Sequence, residues 1–357
     1  MNLPAPQPQT ARSEASALDH LDYLDGWRGV AIILLLIGHF TPVPGLNFGA
    51  LGVNFFFVLS GFLMAKLLFV RQVDLGTFYR RRISRIIPGA AFFILSMALV
   101  YKLAGKPVSL PETLAALFFY NNYTLADPAS KVMPFGHIWS LCVEEHSYVF
   151  LSILALVCRQ WQALNSWRLL ALAAALSSAI GIYYGFRFTG RELEFNHWLH
   201  SEVSAYGILI SSAMLFFWAG RKIPRVPVPV LVLLMLVGVL AHWWKVPLAV
   251  RTTLGVAAFA VVVNVLSNAP AIVKSALSWA PLRWAGKFSF SIYLWQQPFY
   301  LASRSDQMPL ALALPLAIAC GLLSYHLVEQ PVRSYLNRVW CGRAPATPAA
   351  TGSSAKA

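Results

Sequence analysis

The feature that most constrains this chain is the recurrence of apolar runs about twenty residues long. Backbone buried in lipid must satisfy its own polar groups, so a spanning run folds as a helix or joins a closed barrel. A barrel would need a series of alternating segments of about ten residues, and the sequence has none. Stretches at 26–43, 50–70, 86–103, 137–158, 168–186, 203–219, 228–243, 250–267, 286–302 and 309–328 each read as a membrane-crossing helix. A further stretch, 111–125, is only partly apolar and reads as a re-entrant or interfacial helix. The composition agrees: 58% of residues are hydrophobic, 12% are charged and the mean hydropathy is +0.60. Soluble domains carry about 25% charged residues. The expectation is an all-α integral membrane protein with about ten transmembrane helices.

Ten crossings leave both termini on one side. If that side is the cytoplasm, the outer face holds Lys102, Lys106, Lys131, Arg187, Arg191, Lys245, Arg251 and Arg304, and the rest of the 28 Lys and Arg lie inside. This asymmetry predicts an N-in, C-in topology. It also reads the net charge of +14 as loop charge rather than as a nucleic-acid footprint. Residues 1–20 are polar and Pro-rich, without the apolar core of a secretory signal, and read as a disordered cytoplasmic tail. Residues 339–357 read as a second disordered tail, and 21–338 as the membrane domain. The four cysteines form no C-x-x-C pair. No phosphate-binding glycine loop and no metal-ligand spacing occurs, so a resident metal is not expected.

Five segments carry polar chemistry into this apolar frame. In the first helix His39 lies eleven residues after Arg28. That is close to three whole turns, which puts the two side chains on one face about 16 Å apart. Ionisable groups inside a membrane are costly and mark function or a specific partner. A neutral imidazole in a partly dry site can serve as a general base; the structural alternative is a snorkelling Arg and a His paired to a neighbouring helix. The second segment, Phe78 to Pro88, crowds Arg80, Arg81, Arg82 and Arg85 at one mouth of the third helix. Guanidinium forks suit phosphate oxygens, and contact with anionic lipid is the alternative.

The third segment brings His137, Ser140, Glu144, Ser147 and Tyr148 onto one helical face, with Glu145 beside them. Two carboxyls buried together need a proton or a cation, and the arginines are candidate partners. In the fourth segment, Asn54 with Ser60 and Gly61 suits close helix packing or a ligand contact. In the fifth, Tyr293, Gln296 and Gln297 lie close on a helix surface, able to bond a polar substrate or a neighbouring helix.

Taken in order, these segments resemble the membrane-bound acyltransferase family 3, the O-antigen and exopolysaccharide O-acetyltransferases and their relatives. Arg28 and His39 match the family's Arg-x10-His motif. Asn54 to Phe62 is similar to its second-helix signature, Phe78 to Pro88 to its Arg-Arg-x-x-Arg loop, and Trp139 to Tyr148 to its fourth-helix signature. Ser289 to Pro298 and Glu329 to Arg333 are similar to its closing motifs. The resemblance covers about residues 20 to 338. Three positions depart from it: Asn54 where Asp is common, Gln296 where His is common, and His146-Ser147 where Gln-Phe is common.

What the resemblance implies is transfer of an acyl group, usually acetyl from cytoplasmic acetyl-CoA, to a saccharide hydroxyl of a cell-envelope or exported polysaccharide or its lipid-linked precursor. Acetyl-CoA would be a co-substrate rather than a bound cofactor. The implied catalytic set is His39, Arg28, Glu144 and Glu145, with His39 deprotonating the acceptor or carrying the acyl group, and the carboxylates orienting His39 or balancing the arginines. Arg81, Arg82 and Arg85 would hold the donor's phosphates. Ser60, Ser140, Tyr148, Tyr293 and Gln296 would line the substrate path. The implied setting is a bacterial inner membrane. The bilayer, the glycan, acyl-CoA and other polysaccharide-biosynthesis membrane proteins would be partners. The competing expectations are a proton-coupled transporter using Glu144, Glu145 and His39 as a relay, and a non-catalytic part of a polysaccharide export system.

Overall fold

A computed structural model of the chain describes residues 21–41, 43–124, 133–161, 165–188, 196–219 and 221–341. The tails expected at 1–20 and beyond Cys341 lie outside these residues, as do Lys131 and Arg191. No β-strand occurs among the described residues; one isolated bridge joins Leu46 to Trp243. The principal helices are α1 (Asp22–Phe40), α2 (Phe48–Ala65), α3 (Leu75–Leu103), α4 (Leu110–Leu117), α5 (Trp139–Gln160) and α6 (Ser166–Arg187). They continue with α7 (Tyr206–Trp218), α8 (Val228–Leu240), α9 (Val256–Val265), α10 (Ala280–Arg304), α11 (Leu310–Ser324) and α12 (Gln330–Cys341). Among the described residues, eight helical segments are long and apolar enough to cross a membrane. The chain is an all-α integral membrane protein.

Two helices begin earlier than hydropathy suggests. α3 starts at Leu75 rather than near 86, capped by the Asp74 carboxylate accepting from the Thr77 amide at 2.9 Å. Its 29 residues span about 43 Å, longer than a hydrocarbon core of about 30 Å. Arg80 to Arg85 thus ride on helix rather than on a loop: charge lowers hydropathy without breaking a helix. α10 starts at Ala280 rather than 286, with Pro281 in its first turn. It is not among the eight apolar segments because Arg283, Lys287, Gln296 and Gln297 interrupt its apolar surface. The partly apolar stretch near 111–125 forms the short helix α4, capped by Ser109, followed by the single turn Asn121–Thr124.

Without a hydrophobic drive between lipid-embedded helices, close packing of small residues holds them together. α1 sits between α2 and α10, and glycines make both contacts. A Cβ on Gly29 would lie 2.0 Å from the Leu282 carbonyl oxygen, and one on Gly286 would lie 1.8 Å from that of Asp25. On the other side, a Cβ on Gly52 would lie 2.5 Å from the Ala31 carbonyl oxygen. Gly61 meets the Ile208 backbone in the same way, joining α2 to α7. That is close helix packing at Gly61. Asn54 is also structural: its Nδ2 lies 2.9 Å from Nε2 of the buried His242. The tight α1–α10 crossing gives a direct expectation. Gly286→Leu would force the two backbones apart and cost at least about 3 kcal/mol, read as a lowered melting temperature of the detergent-solubilised protein against Gly185→Leu, where a Cβ meets nothing within 4 Å.

Candidate active site

Two cavities meet inside this bundle. The larger, about 590 Å³, opens at the end of α1 that carries Asp25 and Arg28, and is closed by the first turns of α10 and the α11–α12 junction. The smaller, about 120 Å³, continues from it between α1, α2, α3, α5 and α10. Arg28, Arg85, Ser289 and Phe290 line both and form the neck between them. A π-helical turn, Tyr325–Glu329, joins α11 to α12 and brings Glu329 to the larger cavity. There its carboxylate accepts from Ser291 at 2.7 Å and Ser324 at 3.0 Å.

The smaller cavity collects most of the residues expected at a site: Arg28, Ser60, Arg82, Arg85, Ser140, Glu144, Tyr148 and Tyr293 all line it. At one wall the Arg82 guanidinium donates to Glu145 Oε1 at 3.2 Å and stacks over the Tyr148 ring, 3.5 Å from its centroid. Tyr148 donates to Glu144 Oε2 at 2.9 Å, so the hydrogen it shares with Ser60 comes from the serine. This links both carboxylates to one cation, the condition two adjacent buried acids require. At the far end Ser140 and Tyr293 share a hydrogen bond of 2.6 Å. Tyr293 donates to the His137 carbonyl, so Ser140 is the donor of that pair.

One helical turn past Tyr293 stands Gln296. Its Oε1 lies 2.8 Å from His39 Nδ1, and its Nε2 donates to Gln297 Oε1 at 3.3 Å. With its amide hydrogen directed at Gln297, Gln296 offers a carbonyl to His39, which places the imidazole proton on Nδ1 and leaves Nε2 with a lone pair. The ring is also stacked on Tyr300, with centroids 4.5 Å apart. Nε2 faces the start of α2, where Gly49 has no side chain to crowd it: a Cβ there would sit 3.5 Å from this nitrogen. His39 lines neither cavity; it is joined to the smaller one through Gln296 and Tyr293 on α10.

The expected site residues thus fall into four groups, of which Arg28 and Arg85 form the neck. Arg82, Glu144, Glu145, Tyr148 and Ser60 form one linked cluster; the carboxylates balance an arginine, and it is Gln296 that holds His39. Tyr293, Ser140, Gln296 and His39 lie at the other end. Arg81 is exposed and lines neither cavity. The sequence reading passed over Arg283, Trp284 and Lys287 as site residues. The first two fell before the assigned start of their span at 286, although Arg283 and Lys287 are spaced i,i+4 on a helix that continues into it.

The sequence matches an acyltransferase domain over residues 21–325. The chain belongs to acyltransferase family 3. Among its curated relatives, this family member is 25% identical over 352 residues to the O-acetyltransferase OatA of Staphylococcus aureus, covering 88% of this chain and 57% of the relative. It is 23% identical over 352 residues to the peptidoglycan O-acetyltransferase OatA of Listeria monocytogenes, covering 87% and 55%. This acyltransferase chain therefore spans little more than half the length of the relatives it matches. No solved structure matches it.

Proposed function

We propose that this chain is an O-acetyltransferase of a bacterial cytoplasmic membrane. It takes acetyl from acetyl-CoA at the inner face and passes it to a hydroxyl of a cell-envelope glycan, peptidoglycan being the acceptor that the Listeria relative's name suggests. On a topology of ten crossings with both termini in the cytoplasm, the Arg28 end of α1 lies inside and the His39 end outside. The observation that carries this reading is the continuous path along α1 and α10. A cation-lined cavity narrows at Arg28 and Arg85 into a channel with mixed polar and apolar walls that ends at Tyr293, one turn short of the Gln296–His39 pair.

The chemistry follows from that order. His39 Nε2 accepts the proton of the acceptor hydroxyl while its oxygen attacks the thioester carbonyl. The C–S bond then breaks, and the thiolate receives the proton from His39. Arg82, held by Glu145 and the Tyr148 ring, balances the carboxylates at the channel wall. The narrow channel, with Val53, Phe56, Phe57 and Leu63 among its walls, suits the thioester arm.

The orienting role of Gln296 is testable apart from its packing. Gln296→Leu, which removes the carbonyl that fixes the His39 tautomer, is expected to lower kcat about 10-fold or more. Gln296→Glu, which keeps an acceptor, is expected to retain most of it. The measurement is steady-state transfer of labelled acetyl from acetyl-CoA to soluble glycan fragments by the purified protein.

A further inference from the structure

We propose that the 590 Å³ cavity is the seat of the acyl donor's nucleotide head, and that it selects a head bearing a phosphomonoester on its ribose. This rests on the reading of the donor as an acyl-CoA. It moves the phosphate contacts away from Arg81 and Arg82 of α3, keeps Arg85, and adds the first turns of α10 and the start of α12.

Five cations line this cavity, Arg28, Arg85, Arg283, Lys287 and Arg333, against two carboxylates, Asp25 and Glu329. The carboxylates are already engaged. Asp25 pairs with Arg28 at 2.6 Å, and Glu329 accepts from two serines. Arg283 pairs at 2.9 Å with Asp22. Neither Lys287 nor Arg333 forms an ion pair among the described residues, so the cavity keeps positive charge for an anionic ligand. A phosphomonoester, at about −1.5 to −2, matches such a site. By contrast Arg82 is committed to Glu145 and Tyr148, and Arg81 lies outside both cavities.

The lining also contains an aromatic platform. Trp284 sits between Arg283 and Lys287, tilted against Phe288 at 5.2 Å and 47% exposed, so part of its indole remains available for a base to stack on. The volume falls within the roughly 300–1,000 Å³ of small-molecule sites. The geometry fits a long ligand: from Lys287 to Gln296 is about 14 Å along α10, a distance a pantetheine arm covers through the shared neck. An anionic lipid headgroup presents the same phosphate chemistry at a cytoplasmic mouth, but supplies neither a base for Trp284 nor an arm for the neck.

The test is equilibrium binding of CoA, dephospho-CoA and 4′-phosphopantetheine to the full chain, in nanodiscs of neutral lipid and in discs containing phosphatidylglycerol. Wild type is expected to bind CoA at least tenfold more tightly than dephospho-CoA, with little change when anionic lipid is added. Lys287→Ala and Arg333→Ala should erase that preference, whereas Trp284→Ala should weaken both nucleotides equally and leave 4′-phosphopantetheine unchanged. Equal binding of CoA and dephospho-CoA by wild type would overturn the subsite while leaving acyl-CoA as donor. Competition by phosphatidylglycerol that abolishes CoA binding would assign the cavity to a lipid headgroup. Failure of all three probes to bind would instead remove the acyl-CoA reading itself.

Discussion

His39→Ala is expected to lower acetyl transfer by about 10² to 10⁴-fold, the usual contribution of a general base, with the affinity for CoA retained. The two halves of that result come from opposite ends of one helix. His39 is remote from the cation-lined cavity, so its loss leaves the donor's head untouched. It is also the group one helical turn beyond the channel's end at Tyr293, its imidazole pinned on one side by Gln296 and stacked on Tyr300, with Nε2 left as a proton acceptor. His39→Gln, which restores hydrogen bonding without a comparable base, should be as inactive as alanine. Single-turnover assays with labelled acetyl-CoA, paired with binding of CoA, separate the two effects. Loss of both transfer and binding would mean that His39 supports the fold rather than the chemistry.

The second large effect is expected at Arg82. Its side chain is 14% exposed, and its guanidinium is the shared partner of Glu145 and the Tyr148 ring, through which Glu144 is also tied in. Removing one partner of such a cluster leaves charge uncompensated, at a cost of about 3–5 kcal/mol. Arg82→Leu should therefore lower the melting temperature sharply as well as abolish transfer. Arg82→Lys should recover only part, because a point charge cannot both fork toward Glu145 and lie flat on Tyr148. The double variant Arg82→Leu with Glu145→Leu should regain stability without regaining activity. Arg81→Ala, on the exposed side of the same helix, should leave the melting temperature unchanged. These outcomes separate two arginines that the sequence presents as equals.

That contrast marks where the sequence was legible. Apolar runs of about twenty residues declare membrane helices because lipid offers the backbone no alternative, and each expected span coincides with a helix. The third and tenth principal helices begin earlier than hydropathy indicates, because their opening turns lie beyond the apolar core, where polarity no longer reports on helix. The Arg-x10-His spacing put Arg28 and His39 on one face, since helical period alone fixes that relation. It does not fix what faces each of them from other helices. The sequence therefore left Glu144 and Glu145 either orienting His39 or balancing the arginines; the bundle ties them to Arg82 and brings Gln296 to His39 from 257 positions away. The glycines of α1 and α10 decide this: they let the two backbones touch, which sets α10 in register with α1. The larger cavity is lined by Lys287 and Arg333, which positive-inside counting treats as ordinary loop charge.

The central claim is that acetyl enters from the Arg28 face and leaves beside His39. Its most direct test reconstitutes the purified chain in one orientation in proteoliposomes, with labelled acetyl-CoA on one side and peptidoglycan fragments on the other. Labelled glycan is expected only when acetyl-CoA is on the Arg28 side, and none with His39→Ala. Equal labelling from either side, or labelling that survives the His39 substitution, would contradict it.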